Sequence, residues 1–278
     1  MANVPTKPTA PVKKESSSAS SIFASLAIVI CLIVSILIYF FILADPSHYK
    51  GGDVLNGEPS DPFGIVHRGG VLVPLVMGYV LMVIVFSIER FIVIGKATGT
   101  SSIETFVRKI QTLLSAGNID GASAECDKQR GSVANVIKAG LKKYREMEGE
   151  SGLDLDQKTL AIQKDIEEAT ALEMPMLEQN LTIIATLVSI GTLTGLLGTV
   201  IGMIKAFAEL AGNGGGTNTG ALSAAISEAL VNTALGISTS ALSIVMYNVF
   251  TSKIDNLTYA IDETGFSIVQ TFAASHKR

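Results

Sequence analysis

Four long, almost unbroken apolar blocks punctuate this chain, at 22–43, 71–94, 181–211 and 221–250. Each is longer than the roughly 20 residues a helix needs to cross a hydrocarbon core, so the pattern predicts four transmembrane helices. Between the second and third blocks the pattern changes. Ile103, Phe106, Ile110 and Leu113 or Leu114, then Val133, Val136, Ile137 and Leu141, recur at steps of three and four, the spacing of helices with one buried face. Gly117-Asn118 and Gly149 to Gly152 read as turns, and 156–179 resumes as a charged helix carrying Leu160, Ile166, Leu172 and Leu177. Pro175 is placed to bend that helix just before the third block. The predicted fold is therefore all-α and polytopic, with short helices favoured over strands between the second and third blocks.

Charge orients these segments. Eleven of the 21 Lys and Arg fall in 95–180, while 45–69 holds only Lys50 and Arg68 and 212–220 holds none. Positive loops stay on the cytoplasmic side. The expected organisation is a disordered cytoplasmic tail at 1–21, a periplasmic loop at 45–69 and a cytoplasmic helical region at 95–180. A periplasmic Gly-rich turn follows at 212–220, and a cytoplasmic C-terminal helix or tail at 251–278. The first block follows Lys7, Lys13 and Lys14 as a signal peptide would, yet it outruns the 7–15 residues typical of a signal core, so a retained anchor is expected. The loop 45–69, broken by Pro46, Gly51, Gly52, Gly57, Pro59, Pro62 and Gly64, reads as a weakly ordered connection.

Composition narrows the chemistry. The chain is 48% hydrophobic with a mean hydropathy of +0.44 and a net charge of −4, and it has no basic stripe of the kind nucleic acid selects. Cys31 and Cys126 lie in different environments, so neither a disulfide framework nor a cysteine metal site is expected. The Gly-rich 212–220 lacks the strand and the Lys-Ser/Thr ending of a phosphate loop. With no HExxH, CxxC, GxSxG or kinase signature present, no enzyme activity and no cofactor are expected.

The last two blocks carry what chemistry there is. Gly191, Gly195, Gly198 and Gly202 line one face of the third predicted to pack closely against a neighbour, as small residues do in lipid. Thr192 and Thr199 lie seven apart beside them, either lining a polar path or bonding their own i−4 carbonyls. On the fourth, Glu228, Asn232, Gly236, Thr239 and Ser243 recur at steps of four or three, flanked by Thr233 and Ser240. Such a stripe cannot face lipid, and the two helices are expected to form a pore-facing layer. An acid at the centre of a span costs roughly 2.5–3.5 kcal/mol. Glu228 is thus either a functional buried charge or, eight residues beyond Gly220, an interfacial one favoured by the helix N-terminus. Lys205 is expected to snorkel outward or to pair with Glu209, one turn on.

The runs Gly195-Leu196-Leu197-Gly198-Thr199-Val200-Ile201-Gly202-Met203 and Ile226-Ser227-Glu228-Ala229-Leu230-Val231-Asn232-Thr233-Ala234-Leu235-Gly236 resemble the MotA/TolQ/ExbB proton-channel family, and ExbB in particular. The resemblance extends over 71–250, including 117–141 and Tyr247-Asn248-Val249-Phe250. It implies a homopentamer in the bacterial inner membrane, with both termini cytoplasmic, surrounding an ExbD-like single-span partner dimer that carries the proton-binding Asp. It also implies a TonB-like protein that delivers the work, and protons as the coupling ion. By motif position Thr199, Glu228 and Thr233 match the family's pore-lining polar residues. Two departures stand out: ExbB has three spans, not four, and a Pro where this chain has Thr192. MotA-like stators share the four-span plan but carry a small residue at the place of Glu228. A TolQ-like envelope role, a MotA-like motility role, a proton-coupled transporter and a passive scaffold remain the competing readings.

Overall fold

The computed structural model describes residues 15–54, 57–212 and 219–276, and among them every regular element is a helix. The expected tail therefore lies outside the described residues over 1–14, as do the core of the Gly-rich turn, 213–218, and the last two residues of the C-terminal segment. In chain order the α-helices are α1 (Glu15–Ile38), α2 (Pro62–His67), α3 (Val73–Thr98), α4 (Ile103–Ser115), α5 (Ile119–Gln129), α6 (Ser132–Gly149), α7 (Leu155–Glu178), α8 (Leu181–Gly212) and α9 (Thr219–Ser275). α1 leads into a π-helical turn at Tyr39–Leu43. Among the described residues, four helical stretches, containing the four apolar blocks, are long and apolar enough to cross a membrane. α9 continues unbroken well past residue 250, because Ile254, Leu257, Ile261, Ile268 and Phe272 keep one face buried through its polar second half.

The chain forms two compact units, one of residues up to Met82 with Thr194–Gly236, the other of Val83–Leu193 with Ile237–Arg278. In the first, the loop after α1 is a folded structure where the composition suggested a slack connection. Asp45 caps a short 3-10 turn through Ser47 N–H, and Asp61 caps α2 through Gly64 N–H, with Pro62 preset for the first helical turn. An isolated bridge pairs Tyr49 with Pro59. His48 Nδ1 meets Asp61 Oδ2 at 2.6 Å, Tyr49 Oη meets His67 Nδ1 at 2.5 Å, and Tyr39 Oη donates to the His67 carbonyl at 3.1 Å. Burial pushes the Tyr49 phenol up and the His67 imidazole down, while the Gly64 N–H holds Asp61 below the usual carboxylate range. Beneath the loop, Tyr39, Leu43 and Val73 form a small core with Val66, Met77, Val231 and Leu235 packed on it.

In the second unit the predicted periodicities are buried faces: Phe106, Ile110 and Leu114 of α4, and Val133, Val136, Ile137 and Leu141 of α6, are all below 5% exposed. Ser102, Asn118 and Asp154 cap α4, α5 and α7, the last in a reciprocal capping box with Gln157. On α7 the expected Ile166 and Leu177 are buried, and the other two expected residues are not. Leu160 and Leu172 are exposed, and the buried face is Ile162, Ile166 and Leu177. Gly140 of α6 leaves a notch that Ile166 fills. α7 passes through Pro175 to Glu178, and its terminal carbonyls at Met176 and Leu177 accept from Arg90 Nη1 at 3.2 and 3.1 Å. Arg90 is 1% exposed and is neutralised by Glu89, so a buried cation closes the helix end that the chain cannot close itself.

Candidate functional site

In the first unit, the glycine face of α8 meets α9 at backbone distance. A Cβ on Gly195 would lie 3.1 Å from the Gly236 Cα, one on Gly198 would overlap Asn232, and one on Gly202 would overlap Ala229. Small residues thus permit the close approach that drives helix association where burial of apolar surface supplies no force. The approach is what presses the polar stripe of α9 onto α8.

Glu228 is the charged member of that stripe. Its Oε1 accepts from Lys205 Nζ at 2.6 Å, with the carboxylate side chain 17% exposed and the lysine 49%. The sequence reading sent Lys205 outward or toward Glu209. The structure instead uses it across the α8–α9 contact, where it offsets the charge that hydrocarbon would penalise. Both side chains line a cavity of about 950 Å³ together with Glu58, Arg68, Glu209 and Ser227, two cations and three acids among the six. Water reaching such a polar space lowers the cost of the ion pair further.

Asn232 lies one turn on and is 1% exposed. Its Nδ2 donates to the Gly69 carbonyl at 2.7 Å and to the Glu228 carbonyl at 3.0 Å, and its Oδ1 is buried without a partner. The chain next turns through Gly70 at φ +74°, and a Cβ there would overlap Glu228 Oε1. Glycine is required at that position twice over, for the left-handed backbone and for contact with the carboxylate. Thr233 Oγ1 donates to the Gly195 carbonyl at 3.0 Å, with the Ala229 carbonyl at 3.1 Å. The Thr199 hydroxyl returns to its own helix, at the Leu196 carbonyl 2.6 Å away.

Thr192, Thr239 and Ser243 belong to the second unit. There Thr192 Oγ1 and Ser240 Oγ share a hydrogen bond of 2.7 Å, and both reach the Val188 carbonyl. Thr239 and Ser243 are fully buried, Ser243 donating to the Thr239 carbonyl at 2.8 Å. Of the residues singled out from sequence, the structure therefore gathers Glu228, Asn232 and Thr233 with Gly195, Gly198, Gly202 and Gly236 in one unit. Thr199 is in that unit without a hydrogen bond to Glu228. Lys205 as ion partner and the Gly69-Gly70 doublet were missed. An intramembrane cation opposite an intramembrane acid, and paired glycines opening a span, were the available signals. Among the described residues no group of three or more His, Cys, Asp or Glu is set to hold a metal ion.

Residues 128–263 match the MotA/TolQ/ExbB proton channel family, a range that contains Lys205, Glu228, Asn232 and Thr233 and excludes the Gly69-Gly70 doublet. An ExbB-like biopolymer transport protein from Synechocystis sp. is 34% identical over 88 residues, 31% of this chain and 42% of that protein. The Tol-Pal system protein TolQ from Pseudomonas aeruginosa is 29% identical over 125 residues, 45% of this chain and 54% of that protein. A second ExbB-like protein from Synechocystis sp. is 36% identical over 88 residues, 31% of this chain and 35% of its own length. The chain thus spans about half or less of the length of these relatives.

Proposed function

Since the chain belongs to the MotA/TolQ/ExbB proton channel family, we propose that it is the ExbB-like subunit of a proton-driven motor in the bacterial inner membrane. In this reading a homopentamer surrounds an ExbD-like single-span dimer, and a TonB-like protein carries the work to outer-membrane transport. Both termini and the helices α4 to α7 are on the cytoplasmic side, and the folded loop 45–69 is periplasmic. The observation that carries the reading is Glu228, a carboxylate in an apolar helix, paired with Lys205 and lining a polar cavity of about 950 Å³. A proton entering that cavity meets Glu228 first as an anion already balanced by Lys205. The Glu228–Lys205 pair fixes the local electrostatics that such a proton meets. Thr233 and Thr199 offer hydroxyl oxygens that accept a further hydrogen bond while their protons stay on backbone carbonyls. The main proton carrier belongs to the partner, and Glu228 is one wall of its path.

Replacing Glu228 with Gln in cells tests the reading. Energy-dependent uptake is expected to fall by about tenfold or more, equivalent to some 1.4 kcal/mol on the limiting step, with the membrane level of the protein unchanged. Wild-type uptake at a normal membrane level overturns it. A TolQ-like role is the second reading, favoured by the longer match to TolQ, 125 residues against 88. Deleting the gene separates the two: lost outer-membrane uptake with an intact envelope supports the ExbB-like role, and detergent sensitivity with normal uptake supports the TolQ-like one.

A further inference from the structure

Asn232 is better buried than any other polar residue near Glu228, and it is the side chain that joins the loop-to-α3 junction to α9. Both of its amide N–H groups are spent, one on the Gly69 carbonyl and one on the Glu228 carbonyl. Rotating the amide by half a turn would lose both bonds and set its oxygen against two carbonyl oxygens, so the acceptors themselves dictate its orientation. Its Cβ and amide fill the notch left by Gly198, which holds the side chain from the α8 side. Through the Gly69 bond Asn232 anchors Gly70, whose backbone in the left-handed region lies against Glu228 Oε1. The carboxylate is thereby confined between Gly70 and the Lys205 ammonium.

We propose that Asn232 is the positioning residue of the Glu228 site, clasping the Gly69-Gly70 turn so that the carboxylate is held against Lys205, and that its buried Oδ1 accepts a hydrogen bond from an enclosed water molecule. This rests on the proton-path reading above. Three facts carry it together: a 1% exposed amide, two spent donors that tie separate segments, and a buried acceptor with no protein partner. A buried carbonyl oxygen without a donor is disfavoured. The donor that suits a site beside a cation-balanced carboxylate is a small O–H group. An apolar packing role would require neither the donors nor the acceptor.

The test uses the full chain expressed with its own neighbouring genes, in four variants: Glu228→Gln, Asn232→Ala, the double variant, and Gly70→Ala. Membrane level and energised uptake are measured in cells, and the infrared carboxylate band that Glu228→Gln removes is recorded on purified protein in lipid. Asn232→Ala is expected to lower uptake by about tenfold at normal membrane level and to shift the Glu228 band. In the Glu228→Gln background it should add less than about twofold, because residues that act as a unit are not additive. Gly70→Ala leaves Asn232 untouched and should shift the same band, so the inference remains testable if the asparagine variants assemble poorly. An unmoved band in both Asn232→Ala and Gly70→Ala, or losses that multiply in the double variant, overturns this inference alone. Wild-type uptake in Glu228→Gln overturns the proton-path reading itself.

Discussion

The polar stripe of α9 is used in two different ways at its two levels. Around Glu228 and Asn232 it is ionic and reaches out, to Lys205, to the Gly69 carbonyl and into a cavity of about 950 Å³. Around Thr239, Ser240 and Ser243 it is neutral and closed in: Ser243 donates to a carbonyl of its own helix, and Ser240 and Thr192 bond each other and one shared carbonyl. A repeat of polar residues at helical spacing therefore establishes that a face avoids lipid and leaves open whether that face moves charge. What separates the levels is an uncancelled demand. Hydroxyls can return their protons to a nearby carbonyl, whereas a carboxylate needs a cation or water.

The sharpest way to break this contrast is at Lys205. Lys205→Met removes the cation and leaves Glu228 alone in an apolar helix, and energised uptake is expected to fall by about tenfold or more, with Lys205→Arg retaining most of it. Full activity in Lys205→Met would mean that the ion pair does not matter and that the two levels are alike. At the other level, Ser243→Ala and Thr239→Val should change uptake by less than about twofold and cost at most ~1 kcal/mol of stability each, the net worth of a single hydrogen bond. A loss as large as that at Lys205, at normal membrane level, would erase the distinction from the opposite side.

The smallest expected effect is in the loop that closes over the Glu228 level. His67 is pushed below its ordinary value near 6.5 by burial, so the unfolded loop binds a proton before the folded one does. Stability from a neutral buried His67 is complete above about pH 6.5 and declines as pH falls toward the lowered value. Asp61, held below the usual carboxylate range by the Gly64 N–H, adds stability that disappears only at still more acid pH. Hydrogen exchange at the Lys50 and Ser60 amides, which bond to the Glu58 and His48 carbonyls at 2.9 Å, reads the loop directly. After correction for intrinsic rates, opening should be more frequent at about pH 5.5 than at about pH 7.5. Equal opening at the two values would show that His67 does not hold the loop.

Several of these features were visible before any tertiary contact was known. Four spans, the helical region between the second and third, the glycine face of α8 and the polar stripe of α9 all follow from periods of 3.6 residues and from the length of a membrane crossing. Other features required partners far away in the chain. The loop 45–69 reads as slack because Gly and Pro break regular elements, yet its order comes from His48 with Asp61 and Tyr49 with His67, pairs that local propensity does not encode. α7 buries Ile166 and Leu177 as its spacing suggests, but Leu160 and Leu172 are exposed and Ile162 is buried, an outcome set by what packs against the helix.

The same division holds at the site. The amino-acid sequence by itself determined that an acid would sit in the fourth apolar block, beside residues small and polar enough to keep it out of lipid. Which cation would balance it, whether Asn232 would face a backbone carbonyl, and that Gly70 would touch the carboxylate were decided only when α8, α9 and the start of α3 came together. The physical reason is range: helix periodicity is set by bonds four residues apart, while Lys205 and Glu228 are 23 residues apart and Asn232 and Gly69 are 163, and nothing local ranks one such pairing above another.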